Sequence, residues 1–129
     1  KDEPDKDEPD KDEPDKDEDP PIDHTLALAV ADEINRMQTR LYILEAQGVK
    51  VKPLQKALER LEVQLSLQGY EIVDHKDRPY VEGMTAYPQF EEDNDLGDGE
   101  QIISGIIKPQ VNFNGKLLQV PEIRVSIGG

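Results

Sequence analysis

Residues 102–127 read IISGIIKPQVNFNGKLLQVPEIRVSI and carry the strongest fold signal in the chain. Asn114-Gly115 stands between two β-prone runs, and this pair suits a two-residue type I′ turn because both central residues take positive φ. Pro121 interrupts the return strand, which predicts an edge position or a bulge there. The isoleucine-rich strand ahead of the hairpin is expected to bend at Gly105. By itself, this stretch predicts a small antiparallel sheet without an active site.

Upstream of the sheet, apolar residues recur at helical spacing in two stretches. The first predicted helix runs from an N-cap at Asp23 to about Gln47 and ends at Gly48. The second has Pro53 at its first position and stops at Gly69. The short connection predicts an antiparallel helical hairpin.

Two helices cannot bury both of their apolar stripes fully, so the hairpin is predicted to dimerise into a four-helix bundle. Coverage of the stripes by the sheet alone is the alternative. The predicted dimerisation residues are Val30, Ile34, Met37, Leu41, Leu44, Leu54, Leu58, Leu61 and Leu65.

After the hairpin, Tyr70–Asp74 is predicted as a strand, residues 75–90 as a loop in which Val81–Met84 could pair briefly, and Glu91–Glu100 as an acidic loop. The predicted fold class is α+β, a helical hairpin followed by a small all-β domain. The chain is thus predicted to divide into three segments: a disordered acidic repeat tail (1–21), the hairpin dimerisation domain (22–69) and the β-domain (70–129).

The first twenty residues are three KDEPD units and one KDEDP unit. Each unit has one Lys against three acids, so together they contribute −8 to a net charge of −14. Such a segment has no apolar residue to bury and is predicted to be extended and disordered. A solubilising tail is one interpretation, and an acidic clamp for a basic partner is the other.

The whole-chain composition excludes several classes of function. Net negative charge argues against nucleic-acid binding. No apolar run approaches the ~18–20 residues that span a bilayer. The chain has no cysteine, which excludes disulfides and thiolate metal sites. The cytoplasm is the expected location.

Residues that could carry chemistry do not form a site in the sequence. Asp93, Asp95 and Asp98 could offer oxygen ligands to calcium, but their loop lacks the EF-hand glycine and glutamate, which favours a solvated loop. His24 and His75 stand alone, without ligands at metal-site spacing. We therefore expect no catalytic residues, no metal and no cofactor, and a protein that is not an enzyme.

The order of motifs resembles the GrpE nucleotide exchange factors over about residues 25–127. In that family, a glycine ends the second bundle helix and a strand follows, then a proline with a large apolar residue, a G-x-[ILM] strand, an N-G-[RK] turn and an alternating final strand. The matching segments here are Gly69-Tyr70-Glu71-Ile72-Val73, Pro79-Tyr80, Gly105-Ile106-Ile107, Asn114-Gly115-Lys116 and Pro121–Ile127.

The resemblance implies a homodimeric cochaperone whose β-domain grips the upper lobe of a DnaK-type ATPase domain and promotes ADP release. Tyr80, Ile107, Lys116 and Val125 match positions that face the chaperone in the family. The alternative places Ile107 and Val125 in the sheet core, and treats Lys116 as a turn residue and Tyr80 as a partly buried aromatic.

This chain also departs from the family pattern. Val81-Glu82 and Thr85-Ala86-Tyr87 stand where relatives have Asp-Pro and His-Glu-Ala, and the long paired helix ahead of the bundle is missing. The altered 81–87 loop favours the alternative function, a dimeric interaction or adaptor protein of the same fold that does not exchange nucleotide.

Overall fold

A computed structural model describes residues 21–129, which form two helices and six strands. The fold class is therefore α+β, as the sequence predicts. The predicted acidic tail lies outside the described residues, apart from Pro21. The helices are α1 (Thr25–Ala46) and α2 (Lys52–Leu67), and the strands are β1 (Tyr70–Val73), β2 (Tyr87–Glu92), β3 (Gln101–Lys108), β4 (Gln110–Phe113), β5 (Lys116–Gln119) and β6 (Glu122–Ile127).

Helices α1 and α2 pack side by side as an antiparallel hairpin. The Gln38 amide donates to the Glu62 carboxylate at 2.5 Å, and the Gln55 amide donates to the Glu45 carboxylate at 3.5 Å. Later residues of α1 thus face earlier residues of α2, which makes the two helices antiparallel. The core between them consists of the buried side chains Ile34, Leu41, Val51 and Leu58.

The helix N-termini lie one residue away from their predicted positions. His24, rather than Asp23, is the N-cap residue of α1. Asp23 accepts hydrogen bonds from the Thr25 hydroxyl at 2.6 Å and the Thr25 backbone N–H at 3.0 Å. These bonds, the hydroxyl bond above all, lower the pKa of the Asp23 carboxyl. Because α2 begins at Lys52, Pro53 occupies its second position, where a missing N–H still breaks no helical hydrogen bond.

Both helices end at the glycines that the sequence indicates. Gly48 follows α1 with φ of 89°, and Gly69 follows α2 with φ of 96°. At Gly48, two successive backbone N–H groups bond back to carbonyls of the last turn, which is the Schellman ending. At each of these two glycines the left-handed conformation turns the chain away from the helix axis. The connections from α1 to α2 and from α2 to β1 are therefore short.

The first sheet is antiparallel and has the strand order β1-β4-β5. Asn114 and Gly115 connect β4 to β5 with φ values of 50° and 83°. Both central residues thus have positive φ, and the predicted turn is confirmed. The sheet buries Tyr70 and Val111 against Ala31 of α1, so the helices and the first sheet share one core.

The second sheet has the order β2-β6-β3 and corrects three predictions. Residues 75–90 are not all loop, because β2 begins at Tyr87. The strands are not all antiparallel, since β2 runs parallel to β6. Pro121 marks neither an edge strand nor a bulge, because it separates β5 in the first sheet from β6, the central strand of the second. Its missing N–H therefore removes no ladder hydrogen bond. The register of β3 shifts between Ile103 and Gly105, at the predicted bend.

The second sheet has a separate core of Ile103, Ile123 and Val125. Tyr80, Met84 and Ala86 of the 75–86 segment pack over it. This segment therefore acts as the cover of the second sheet. Neither described helix is long and apolar enough to cross a bilayer.

Candidate partner-binding surface

The structure separates the four residues that the resemblance implies as chaperone contacts. Tyr80 and Ile107 belong to the region of the second sheet and are partly buried, whereas Lys116 is exposed at the start of β5 in the first sheet. Val125 is 0% exposed on β6, so its side chain offers no surface to a partner. For Val125 the interpretation as sheet core is correct.

The burial of Val125 follows from the position of its strand. β6 lies between β2 and β3, and Val125 is paired with Phe90 on one side and Ile103 on the other. The alternation of apolar residues in β6 shows which side chains share a face. It does not show that residues 75–86 cover that face, so the sequence alone could not distinguish core from contact surface.

A cluster of aromatic and apolar side chains lies at the rim of this covered face. The rings of Tyr80 and Phe90 meet edge to face, with centroids 5.6 Å apart and planes at 87°. Phe90 is 52% exposed, and the neighbouring residue of the cover, Val81, is exposed as well. We call Tyr80, Val81 and Phe90 the second-sheet patch. Aromatic side chains supported by a core on one side and open to water on the other are typical of binding hot spots.

Sequence reasoning missed Phe90 because residues 75–90 were predicted to be a loop. Two aromatic residues, Tyr87 and Phe90, indicated a strand, since aromatic residues favour strands. Pro88 between them made a strand look unfavourable. β2 is an edge strand, and proline is tolerated there because the outer edge needs no ladder donor. The unpaired backbone groups of this edge strand can form hydrogen bonds with a partner. Such bonds would supplement the side-chain contacts of the patch.

The nine predicted dimerisation residues divide into three classes. Ile34, Leu41 and Leu58 are buried within the single chain, so they need no second copy to leave water. Val30, Leu44 and Leu65 are partly buried against this core. Met37, Leu54 and Leu61 remain 45%, 52% and 44% exposed.

The exposed three share one side of the hairpin. At about 100° per residue, Leu54 and Leu61 lie about 40° and 60° to one side of Leu58, and Met37 lies about 60° to the same side of Ile34. The polar pairs that join the helices lie on the opposite side. The hairpin thus has an exposed apolar face, which we define as Met37, Leu54 and Leu61.

A cleft of about 810 Å³, lined by polar and apolar side chains alike, opens on the other side of the hairpin, toward the second sheet. We call it the polar cleft after the polar pairs on that side of the hairpin. In it, the Lys76 ammonium lies 4.2 Å from the centre of the Tyr42 ring. The buried Asn35 amide donates to the carbonyl of Ile106 at 3.0 Å, which ties α1 to β3. Arg124 also lines the cleft, and its Nε lies 3.8 Å from the Glu91 carboxylate. The cleft thus combines charges of both signs with one hydrogen bond, from Asn35 to Ile106, that joins the hairpin to the second sheet.

Glu62 lies on this polar side of the hairpin, and its surroundings disfavour the ionised form of its carboxyl. Burial raises its pKa, although the hydrogen bond from Gln38 acts in the opposite direction. The like charges of Glu59 and Asp74 raise the pKa further. This carboxylate therefore opposes folding once it is ionised.

Between residues 21 and 129, no group of three His, Asp or Glu side chains could hold a metal ion. No protein-family model matches this chain, and neither does any curated protein.

Proposed function

We propose that this chain is a GrpE-like cochaperone that binds the ATPase domain of a DnaK-type chaperone and promotes ADP release in the cytoplasm. The observation that carries the proposal is the second-sheet patch, an exposed aromatic surface on a β-region that hydrogen bonds tie to the hairpin. The motif order that resembles the exchange factors supports it. Tyr80 belongs to this patch and Ile107 keeps accessible surface farther along β3, and Phe90 joins them as a contact residue.

Nucleotide exchange fits a protein that works by binding alone. The factor must bind the open form of the ATPase domain more tightly than the closed, nucleotide-bound form. Linkage then requires nucleotide to weaken binding of the factor by the same ratio by which the factor weakens binding of nucleotide. A hundredfold ratio corresponds to about 2.7 kcal/mol, which a few apolar anchors such as Phe90 can supply.

The proposal includes a homodimer formed through the apolar face of the hairpin. Met37, Leu54 and Leu61 are about half exposed, and packing them against a second copy would produce the four-helix bundle. The polar cleft lies on the other side of the hairpin, so dimerisation leaves it and the second-sheet patch accessible.

The exchange proposal is tested by release of a fluorescent ADP analogue from a DnaK-type ATPase domain. We expect the wild-type protein to accelerate release. Phe90→Asp should reduce the acceleration at least about tenfold, because the introduced charge must be desolvated at the contact. The matched control is Val63→Asp, since Val63 is 54% exposed on the outer face of α2, away from the patch. It should release ADP at the wild-type rate. Equal loss in the control, or no acceleration by the wild type, would refute the proposal.

A second candidate, a dimeric adaptor that binds an ATPase without exchanging its nucleotide, is favoured by one observation. Val125 is buried, so one of the four contact positions implied by the resemblance is absent from the surface. The altered 81–87 segment points the same way. Binding of the wild-type protein that is equally tight with and without nucleotide, without faster release, would favour the adaptor. Tighter binding to the nucleotide-free form would favour exchange.

A further inference from the structure

Helix α2 carries a line of positive charge on the side that faces away from α1. Lys52, Lys56 and Arg60 are exposed and follow each other at four-residue spacing, so they form one row along the helix, which we call the basic stripe. In the part of the chain that the structure describes, none of the three forms an ion pair. Among residues 21–129, the stripe thus has no acidic partner, although the chain as a whole has a net charge of −14.

The stripe belongs to the most basic region of the sequence. Residues 36–60 contain six Lys or Arg and only two acids, whereas residues 1–20 contain four Lys and twelve acids. Residues 21–35 connect the two regions of opposite charge, and this connection has fewer residues than α1. Electrostatic attraction between them is strongest at low ionic strength, because the Debye length is then long.

We propose that the acidic repeat of residues 1–20 binds the basic stripe of α2 in the same chain. The dimensions agree: the stripe extends about 12 Å along the helix at 1.5 Å per residue. One five-residue unit extends about 15 Å at 3.1 Å per residue in an extended chain. A single unit can therefore set three acids against three bases, and four nearly identical units offer alternative registers.

The repeat is also long enough to reach the stripe. In the antiparallel hairpin, Arg60 lies beside about residue 40 and Lys52 beside about residue 48, which is roughly 22–35 Å from the start of α1. Twenty extended residues span up to about 62 Å, enough to pass around α2, whose diameter is about 10–12 Å. A tether of this length holds the repeat at a local concentration in the millimolar range. Weak pairing of exposed charges is sufficient at such a concentration.

The consequence is a basic surface that the chain itself keeps occupied. Other polyanions would have to displace the repeat before they reach the stripe. Exposed ion pairs contribute little to stability, so the interaction should be detected by proximity rather than by melting temperature. It does not depend on the proposed exchange function.

The test uses one spin label on the full chain, which has no native cysteine. Pro9→Cys places the label in the second unit without changing any charge. We expect the label to broaden the amide signals of residues 52–60 at about 0.01 M salt and not at about 1 M, where the Debye length falls to about 3 Å. Lys52→Gln with Lys56→Gln and Arg60→Gln should remove the broadening. The matched control, Arg78→Gln with Lys108→Gln and Lys116→Gln, loses the same charge elsewhere and should retain it.

Three results would overturn the proposal. The first is an absence of broadening on α2 in the wild type, or broadening confined to other surfaces. The second is equal broadening in the stripe variant and its control, since charge at the stripe would then be irrelevant. The third is broadening of ¹⁵N-labelled chains by spin-labelled ¹⁴N chains in a mixed sample, which would mean that the repeat binds a second copy. Circular dichroism of the two triple variants verifies that both remain helical.

Discussion

Replacing Leu61 by Asp should abolish self-association of the hairpin without unfolding the chain. Fully burying a Leu or Met side chain contributes roughly 1.5–3 kcal/mol, so burying the exposed half of one contributes about 0.7–1.4 kcal/mol. Six such side chains meet across a two-fold interface and contribute about 4–8 kcal/mol. This range corresponds to dissociation constants from about 1 mM to about 1 μM when the remaining contacts of the bundle offset the cost of association.

Sedimentation equilibrium over this concentration range measures the effect. The wild type should pass from monomer to dimer, whereas Leu61→Asp, which removes two of the six apolar groups and adds two charges, should stay monomeric at about 1 mM. Val63→Asp, on the outer face of α2, is the matched control and should associate like the wild type. A wild type that is monomeric at the highest concentration would refute the bundle. Unchanged association of Leu61→Asp would refute the choice of face.

Leu58 supplies the contrast that separates folding from association. It is buried within the single chain, so Leu58→Ala should cost about 2–5 kcal/mol of folding stability at concentrations where only monomer is present. Leu61→Asp should retain most of the helical signal under the same conditions. If both variants lost helix together, the hairpin core and the apolar face would not be separable.

Two further predictions concern stability. Because the pKa of Glu62 is raised in the folded state, its ionisation lowers stability as pH rises above the ordinary value of 4.5. Glu62→Gln should therefore be more stable than the wild type at pH 7 and lose this advantage below pH 4.5, which chemical denaturation at both pH values can measure. The control is Glu59→Gln, at an exposed position. If Glu59→Gln were stabilised as much, burial of the Glu62 carboxyl would not be the cause. Gly69→Ala should cost more stability than Gly48→Ala. Both substitutions place alanine in the left-handed region, which costs about 1–2 kcal/mol of folding stability. Only at Gly69 would the new Cβ also collide with the Asn114 side chain. Equal thermal shifts would contradict the collision.

The elements that the sequence predicted correctly are those set by neighbouring residues. The helix ends at Gly48 and Gly69 and the turn at Asn114-Gly115 all depend on positive φ at a position that the local sequence identifies. The αα-hairpin also follows from local information, since a short connection between two amphipathic helices leaves few other arrangements.

The errors concern contacts between distant segments. β2 pairs with β6 across more than thirty residues, and no local pattern in Tyr87–Glu92 reveals a parallel partner. That pairing makes β6 central and buries Val125. The same limitation affects the helices. The apolar spacing identified side chains that avoid water, but it could not show whether the core between the helices or a second copy of the chain would cover them.

The ties between hairpin and sheet determine what an exchange factor of this shape could do. The buried Asn35 amide bonds to the carbonyl of Ile106, and Gln119 bridges Asp32 of α1 and the carbonyl of Pro109 at 3.0 and 2.9 Å. Each tie satisfies backbone or amide groups that would be costly to leave unpaired, so the β-region resists rotation about the hairpin. A factor that tilts a partner's lobe must be stiffer than the hinge it moves, because otherwise its own joint would absorb the motion. These ties supply the stiffness that the proposed function requires, and under the same proposal the second-sheet patch makes the contact with the partner.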